Sequence, residues 1–330
     1  MSADPHDTTA TQLAWVAVDW GSSNLRAWAL DAQGEVLARG RSGRGMLSLT
    51  ADDYEAELLR VIGGWLPASG TLEVLICGMA GARQGWREAA YLPLPARLDD
   101  LARGAVAPAV SDPRLKIRLL PGLSQSGEAF DVMRGEETQL AGLCQATPRV
   151  SGLACLPGTH AKWARLEAGS VTRFTTCLTG ELYGLLAQQS VLRHSLGHSP
   201  GEDDLNDPGC RQAFVTAVAE INSAPQTFSA RLFGLRAADL LDAPLPQGSA
   251  RGAQLAARLS GLTIGLELAG MADELEHEAC ITLIGNDLLC TRYALALETL
   301  GHTSRHLDGE TAVLAGLALA RATLSRASGA

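Results

Sequence analysis

Two stretches half a chain apart put small residues at the end of apolar runs. They are VDWGSSNLRAW, residues 18–28, and LPGTHAKW, residues 156–163. A turn needs glycine or asparagine for its backbone angles, but it does not need Asp19 at the end of an otherwise buried strand. Backbone N–H groups can hold a polyphosphate, and only glycine and other small residues let the backbone come that close. Gly21, Ser22, Ser23 and Asn24 in the first turn, and Gly158, Thr159 and His160 in the second, are therefore candidate phosphate donors. Lys162 and His160 lie at the second turn, where they could meet phosphate charge, and as strand residues they could equally be solvated. Asp19 could hold magnesium through its water shell, because that ion takes few direct carboxylates. Each turn alone is an ordinary β-turn. Taken together, with LIGND (283–287) as a third glycine turn after a strand, they weaken that reading in favour of a nucleotide cradle.

Other polar clusters are less decisive. MRGEETQ (133–139) offers Glu136 and Glu137 as a general base or magnesium-orienting group, and Arg134 as a fork for a carboxylate. By composition alone, a solvated helix start with favourable dipole charge fits it better. GMAGARQGWREAAYLPLPA (78–96) brings Arg83, Gln84, Trp86, Arg87 and Tyr91 together, as a sugar pocket would, and a loop with a packing tryptophan explains it equally well. His302 and His306 have the spacing of helix-borne metal ligands, but they fall in a short strand and its turn and read as exposed. No G-x-x-x-x-G-K-[ST], no G-x-G-x-x-G after a strand and no H-E-x-x-H occurs.

These residues need a scaffold. Periodicity predicts strands at 13–19, 24–31, 35–39, 71–78, 116–122 and 280–286. It predicts helices at 51–65, 133–146, 209–221, 249–275, 287–301 and 309–324. Residues 151–182 read as strand, Gly-Thr turn, strand, Gly turn, strand, Gly turn, repeating the layout of the opening segment. A repeat half a chain apart suggests two related domains. The 330 residues exceed one ordinary core, which agrees. Stretches 200–209 and 242–249 read as surface loops.

With 27 basic and 36 acidic residues, the chain carries a net charge of −9, which argues against a nucleic-acid surface and a polybasic membrane patch. An anionic substrate would need a local basic site. The seven cysteines form no C-x-x-C pair, and most sit in apolar runs, as buried reduced thiols do. The polar N-terminus MSADPHDTTATQ has no signal-peptide layout and no apolar stretch reaches spanning length, so a cytoplasmic protein is expected.

VDWGSSNLRAW, GMAGARQGW, MRGEETQL, LPGTHAKW and LTGEL together resemble the 2-dehydro-3-deoxygalactonokinase family, in order and spacing from about residue 14 to residue 320. That resemblance implies the superfamily of sugar kinases, actin and chaperone ATPases: an α/β, two-domain ribonuclease H-like (actin-like ATPase) fold with mixed sheets, a mixed five-stranded core and a central cleft. It places an N-terminal domain at 12–148 and a C-terminal nucleotide domain at 149–330, with the last helix, 309–326, packing back on the first. It implies ATP-dependent phosphorylation of 2-dehydro-3-deoxy-D-galactonate on its 6-hydroxyl, in galactonate catabolism, with Mg2+. DWGSSN and PGTHAKW become the two phosphate motifs. Thr179, Gly180, Gly285 and Asn286 fall to the nucleoside, and Arg26, Arg83, Gln84, Trp86 and Arg134 to the sugar acid. Leu156 and Pro157 stand where many superfamily relatives carry Asp, so magnesium rests mainly on Asp19. By analogy, Glu136 or Glu137 is the carboxylate that takes the hydroxyl proton. The γ-phosphate would sit between the Gly21–Ser23 and Gly158–His160 turns. An exopolyphosphatase-type phosphohydrolase and a non-catalytic nucleotide-binding regulator are the competing readings. A homodimer is only the default expectation.

Overall fold

The computed structural model describes residues 13–127, 129–196, 205–241 and 244–328. The polar N-terminus and parts of the two expected surface loops lie outside the described residues.

In chain order the elements are β1 (Trp15–Trp20), β2 (Leu25–Leu30), β3 (Val36–Ser42), α1 (Tyr54–Ile62), β4 (Leu72–Gly78), β5 (Leu92–Pro93), β6 (Ala96–Arg97), β7 (Leu115–Leu119), β8 (Leu123–Gln125), β9 (Asp131–Met133) and α2 (Glu136–Ala146). Then come β10 (Gly152–Leu156), β11 (Ala161–Glu167), β12 (Ser170–Cys177), α3 (Thr179–Gln189), α4 (Pro208–Ser223), α5 (Phe228–Leu240), α6 (Ser249–Gly270), α7 (Ala272–Glu276), β13 (Ile281–Gly285), α8 (Asp287–Thr299), β14 (Ser304–Asp308) and α9 (Gly309–Ser328). The chain divides into two compact units. Unit 1 runs as far as Ser151 and includes the hairpin tip Arg165–Phe174 and the chain from Gly309. Unit 2 holds Gly152–Ala164 and Thr175–Asp308.

Unit 1 is built on a five-stranded sheet in the order β3-β2-β1-β4-β7. β1, β2 and β3 pair antiparallel, while β1, β4 and β7 run parallel. β1 is buried on both faces, as a central strand must be. Its alternating side chains divide between two layers. Val16, Val18 and Trp20 pack with Tyr54, Leu58 and Ile62 of α1. Trp15 and Ala17 pack with Val313 and Leu317 of α9. α9 also crosses α2 at backbone contact: a Cβ on Gly142 would lie 1.9 Å from the Ala312 carbonyl oxygen, and one on Gly316 would lie 1.9 Å from that of Thr138. The hairpin tip adds to unit 1 by pairing Ser170 and Val171 with Arg97 and Ala96.

The second sheet repeats the strand order, with β12-β11-β10-β13-β14 in place of β3-β2-β1-β4-β7. β10, β13 and β14 run parallel, like β1, β4 and β7. In unit 2, Leu153, Cys155, Ala161 and Trp163 form one core with Phe214 and Val218 of α4, Ile264 and Leu268 of α6, and Tyr293 of α8. The expected α/β, ribonuclease H-like sheet is present, and its strand order occurs twice, as the internal repeat suggests.

Three sequence expectations change. LTGEL, read as a glycine turn, opens helix α3. Helix α5 had no predicted counterpart; its buried face reduces to Leu235, too little for a periodic signal. The expected helix 249–275 breaks at Met271 into α6 and α7. All seven cysteines are free; four are buried, but Cys280 is exposed. Among the described residues no helix is long and apolar enough to cross a membrane.

Candidate active site

In unit 1 the first glycine turn is supported from behind. The amides of Met46 and Leu47 donate to the carbonyls of Gly21 and Ser22 at 3.1 and 3.0 Å. A Cβ on Gly45 would lie 2.4 Å from the Ser22 carbonyl, so only glycine fits there. Among the described residues the Ser22 and Ser23 amides have no acceptor, while both side chains are exposed. Turn carbonyls are thus occupied and turn N–H groups are open, the polarity an anion requires. The supporting segment is anchored by Glu57 of α1, which is buried. Glu57 accepts from the Ser42 hydroxyl, from Arg44 at 3.3 Å and from Arg60 at 2.5 Å. Arg60 above all holds this carboxyl below its usual range.

Strand register brings the next group together. Asp19 pairs with Arg26 across β1–β2 and with Cys77 across β1–β4. Arg26 donates to Asp19 at 2.6 Å. Arg26, expected at the substrate, is therefore held by the carboxylate expected at the metal. A Cβ on Gly78, whose φ is +87°, would lie 3.4 Å from the Asp19 carboxylate, and one on Gly135 would lie 3.5 Å from the Gly78 Cα. Three separate motifs, DWGSSN, GMAGARQGW and MRGEETQ, thus converge at the C-terminal ends of the central strands β1 and β4.

The two adjacent glutamates differ in access. Glu136 is half-buried and accepts from the Arg134 amide at 3.1 Å. Glu137 has no exposed surface. Both its carboxylate oxygens accept from the Gly135 amide, at 2.9 and 2.7 Å, and the Thr138 hydroxyl donates to it at 3.1 Å. Burial first, then the neighbouring Glu136 charge, pushes the Glu137 carboxyl up to about 8. Composition favoured a solvated helix start here; the structure instead seals half of the cluster.

Arg134 is buried. Its Nη2 donates to the Ala89 carbonyl at 2.7 Å, and its guanidinium sits 4.3 Å from the Tyr91 ring centroid. Its Nε and Nη1 have no acceptor. A buried guanidinium with two unpaired donors is costly unless a ligand completes it. Arg83, by contrast, is exposed and paired loosely with Glu88 at 3.5 Å, and Gln84 is exposed. Trp86 stacks on Tyr54 and meets Trp20 edge-on, so it serves the α1 core first.

Unit 2 repeats the arrangement of the first turn. The Glu181 amide donates to the Thr159 carbonyl at 3.0 Å, and a Cβ on Gly180 would lie 2.5 Å from the Gly158 carbonyl oxygen. The Gly158, Thr159 and His160 amides have no acceptor among the described residues. The glycine of LTGEL thus marks a close approach rather than a turn. Lys162 is buried, not solvated, and donates to the His160 carbonyl at 3.0 Å, so it shapes the turn. His160 pairs with Glu181 at 2.5 Å.

A cavity of about 210 Å³ opens beside this turn. Gly158, Thr179 and Gly180 form one wall, Ser260 and Thr263 of α6 another, and Leu288, Leu289 and Arg292 of α8 a third. Gly285 and Asn286, expected at the nucleoside, precede α8 in the chain and are not among the residues that line the cavity. Asn286 caps α8 by accepting from the Leu289 amide at 2.9 Å. The α6 and α8 contributors carry no sequence motif and were missed; only their apolar stripes are visible in sequence. A larger cavity, about 630 Å³ between α4, α5 and α6, touches none of the motif residues.

No group of three or more metal-ligating side chains occurs among the described residues. Asp19 alone, partly accessible beside the first turn, fits a magnesium ion that keeps its water and phosphate ligands, and does not fit a protein-caged metal.

A family model described as 2-keto-3-deoxy-galactonokinase matches residues 19–320. A Rhizobium meliloti (strain 1021) protein bearing the name 2-dehydro-3-deoxygalactonokinase is 40% identical over 310 residues, 93% of this chain and 96% of its own. The Escherichia coli (strain K12) 2-dehydro-3-deoxygalactonokinase is 34% identical over 304 residues, 92% of this chain and 96% of its own. The crystal structure of a Sinorhizobium meliloti protein given the same kinase name matches with a TM-score of 0.80 at 38% identity, over 94% of this chain and 99% of its own. With the motifs assembled as described and the match running through both units, the chain belongs to the 2-keto-3-deoxy-galactonokinase family.

Proposed function

We infer that this protein is a carbohydrate kinase that transfers the γ-phosphoryl group of ATP to 2-dehydro-3-deoxy-D-galactonate. The observation that carries the reading is the pair of turns with occupied carbonyls and open amides, one in each unit, in a chain of this family. Unit 2 holds the nucleotide: the Gly158–His160 amides take phosphate oxygens and the cavity beside Thr179 takes the nucleoside. In unit 1 the Ser22 and Ser23 amides take phosphate oxygens as well.

The sugar acid binds in unit 1, where Arg134 offers two unpaired donors to its carboxylate. A charge-assisted hydrogen bond of that kind is worth roughly 1.5–3 kcal/mol. The acceptor is the 6-hydroxyl. Glu136, the accessible carboxylate of the pair, takes its proton, while Glu137 holds the Gly135 amide and fixes the start of α2. Asp19 would hold magnesium through water, and that ion supplies neutralisation of phosphate charge. Phosphoryl transfer has a loose transition state, so positioning and charge neutralisation matter more than a strong base. The anion-binding groups are local, as an acidic chain requires. The protein works in the cytoplasm, within galactonate breakdown.

The test is coupled ADP release with a panel of 2-keto-3-deoxy sugar acids. Release that depends on the sugar acid and is fastest with the galactonate derivative is expected. Equal ADP release without any sugar acid, or phosphate release from polyphosphate, would overturn the reading.

A further inference from the structure

The unit 2 core contains one carboxylate that the site as described does not use. Glu267 of α6 is buried and does not line the cavity. It is surrounded by Trp163, Tyr293 and Cys155, so burial raises its carboxyl above the ordinary value. An unpaired carboxylate in such a place would be strongly unfavourable. Here three donors meet it. Trp163 Nε1 donates at 2.7 Å and the Tyr293 hydroxyl at 2.8 Å, and the Thr179 hydroxyl bonds to it as well.

The three donors belong to three different elements. Trp163 lies on β11, which leaves the Gly158–His160 turn. Thr179 opens α3 and is followed by Gly180, whose backbone presses on that turn. Tyr293 lies on α8 and lines the cavity itself, with Leu288, Leu289 and Arg292 of the same helix. A hydrophobic side chain of the same volume would fill the core but would orient none of them. Trp163 can only donate, and it and the Tyr293 hydroxyl meet different oxygens of Glu267, so the group between them presents acceptors on two sides, which a carboxyl group does.

We propose that Glu267 is a positioning residue for the nucleotide site: it fixes the phosphate turn, the start of α3 and the cavity wall on α8 relative to one another, without touching the substrate. This rests on the reading that unit 2 holds the nucleotide. It acts on nucleotide binding and leaves the sugar-acid site alone.

The experiment compares wild type, Glu267→Gln, Thr179→Val and the double variant, by calorimetric binding of a non-hydrolysable ATP analogue and by steady-state kinetics. An amide keeps the volume but offers one acceptor oxygen in place of two, so at least one of the three bonds must be lost or reversed. KM for ATP should rise about tenfold in Glu267→Gln, the scale of one lost hydrogen bond to a charged group. KM for the sugar acid should hold. The double variant should lose less than the product of the two single losses, because both act on one network. Wild-type affinity for ATP in Glu267→Gln would overturn the proposal. So would equal rises in both KM values, or fully multiplicative losses in the double variant. If Glu267→Gln does not fold, Tyr293→Phe carries the test: it keeps the carboxylate, removes one donor and should raise KM for ATP alone. An unchanged KM for ATP there would again overturn it. Failure of wild type to bind the analogue would instead reject the nucleotide assignment of unit 2.

Discussion

Asp19 and Arg26 stand opposite each other in the β1–β2 ladder and form a 2.6 Å ion pair. The pair follows from register alone, since residues seven apart across a four-residue turn must face each other. It sets the charge beside the first glycine turn. It also means that Arg26 can reach a phosphate or sugar acid only by sharing or leaving Asp19.

Asp19→Asn should lower kcat far more than it raises KM for the sugar acid. The amide keeps the contact with Arg26 through its oxygen but loses the charge that would hold magnesium through water. Turnover measured across a magnesium titration checks this. Near-normal kcat at saturating magnesium would remove Asp19 from the mechanism.

Arg134→Gln should weaken the sugar acid by roughly 10- to 150-fold, the equivalent of one charge-assisted hydrogen bond. ATP affinity should hold, because Arg134 has no partner near the Ser22–Ser23 amides. Separate KM values for the two substrates decide it. Loss of ATP affinity with intact sugar affinity would reassign the residue.

Gly180→Ala should damage the nucleotide side. The added Cβ meets backbone, the Gly158 carbonyl at 2.5 Å and the Thr159 Cα at 2.8 Å, and neither can rotate away. Overpacking of this kind costs about 1–3 kcal/mol, so kcat/KM for ATP should fall by roughly 5- to 150-fold. Gly184→Ala, where a Cβ meets nothing within 4 Å, is the control on the same helix. Equal activity of the two variants would show that the turn has slack.

Glu137 makes stability depend on pH in an unusual direction. In the folded protein its carboxyl keeps a proton up to about pH 8, while unfolded it loses the proton near 4.5. The folded state therefore binds more protons between these values. Stability from this group is full below about 4.5 and declines as pH rises towards about 8, by about 1.4 kcal/mol per pH unit. Denaturant melts of wild type and Glu137→Gln from pH 4.5 to 8.5 should converge at one end and separate at the other. Parallel curves would show that Glu137 is already ionised at neutral pH.

Gly142→Ala should destabilise the fold without a specific kinetic signature. Its Cβ would overlap the Ala312 carbonyl where α2 meets α9, and only movement of a whole helix relieves that. Thermal melting checks it, and an unchanged Tm would mean the helices part easily.

The sequence by itself determined the strand pattern, the repeated layout and the chemistry-bearing motifs, because alternation and glycine-marked strand ends are local signals. It placed Asp19, both glycine turns and the Glu136–Glu137 pair without any coordinates, and the motif set named the family. It could not determine access. Arg83 and Arg134 are alike in sequence, yet one is exposed and the other buried with unpaired donors. Sequence leaves Lys162 at a phosphate or in solvent and Trp86 in a sugar pocket or a packed loop, and the structure uses them to shape a turn and fill a core. Gly180 reads as a turn glycine, yet the Gly158 carbonyl from another segment leaves it no room for a side chain. Burial and close approach depend on residues far apart in the chain, so only tertiary packing decides which of the candidate groups remain open to a ligand.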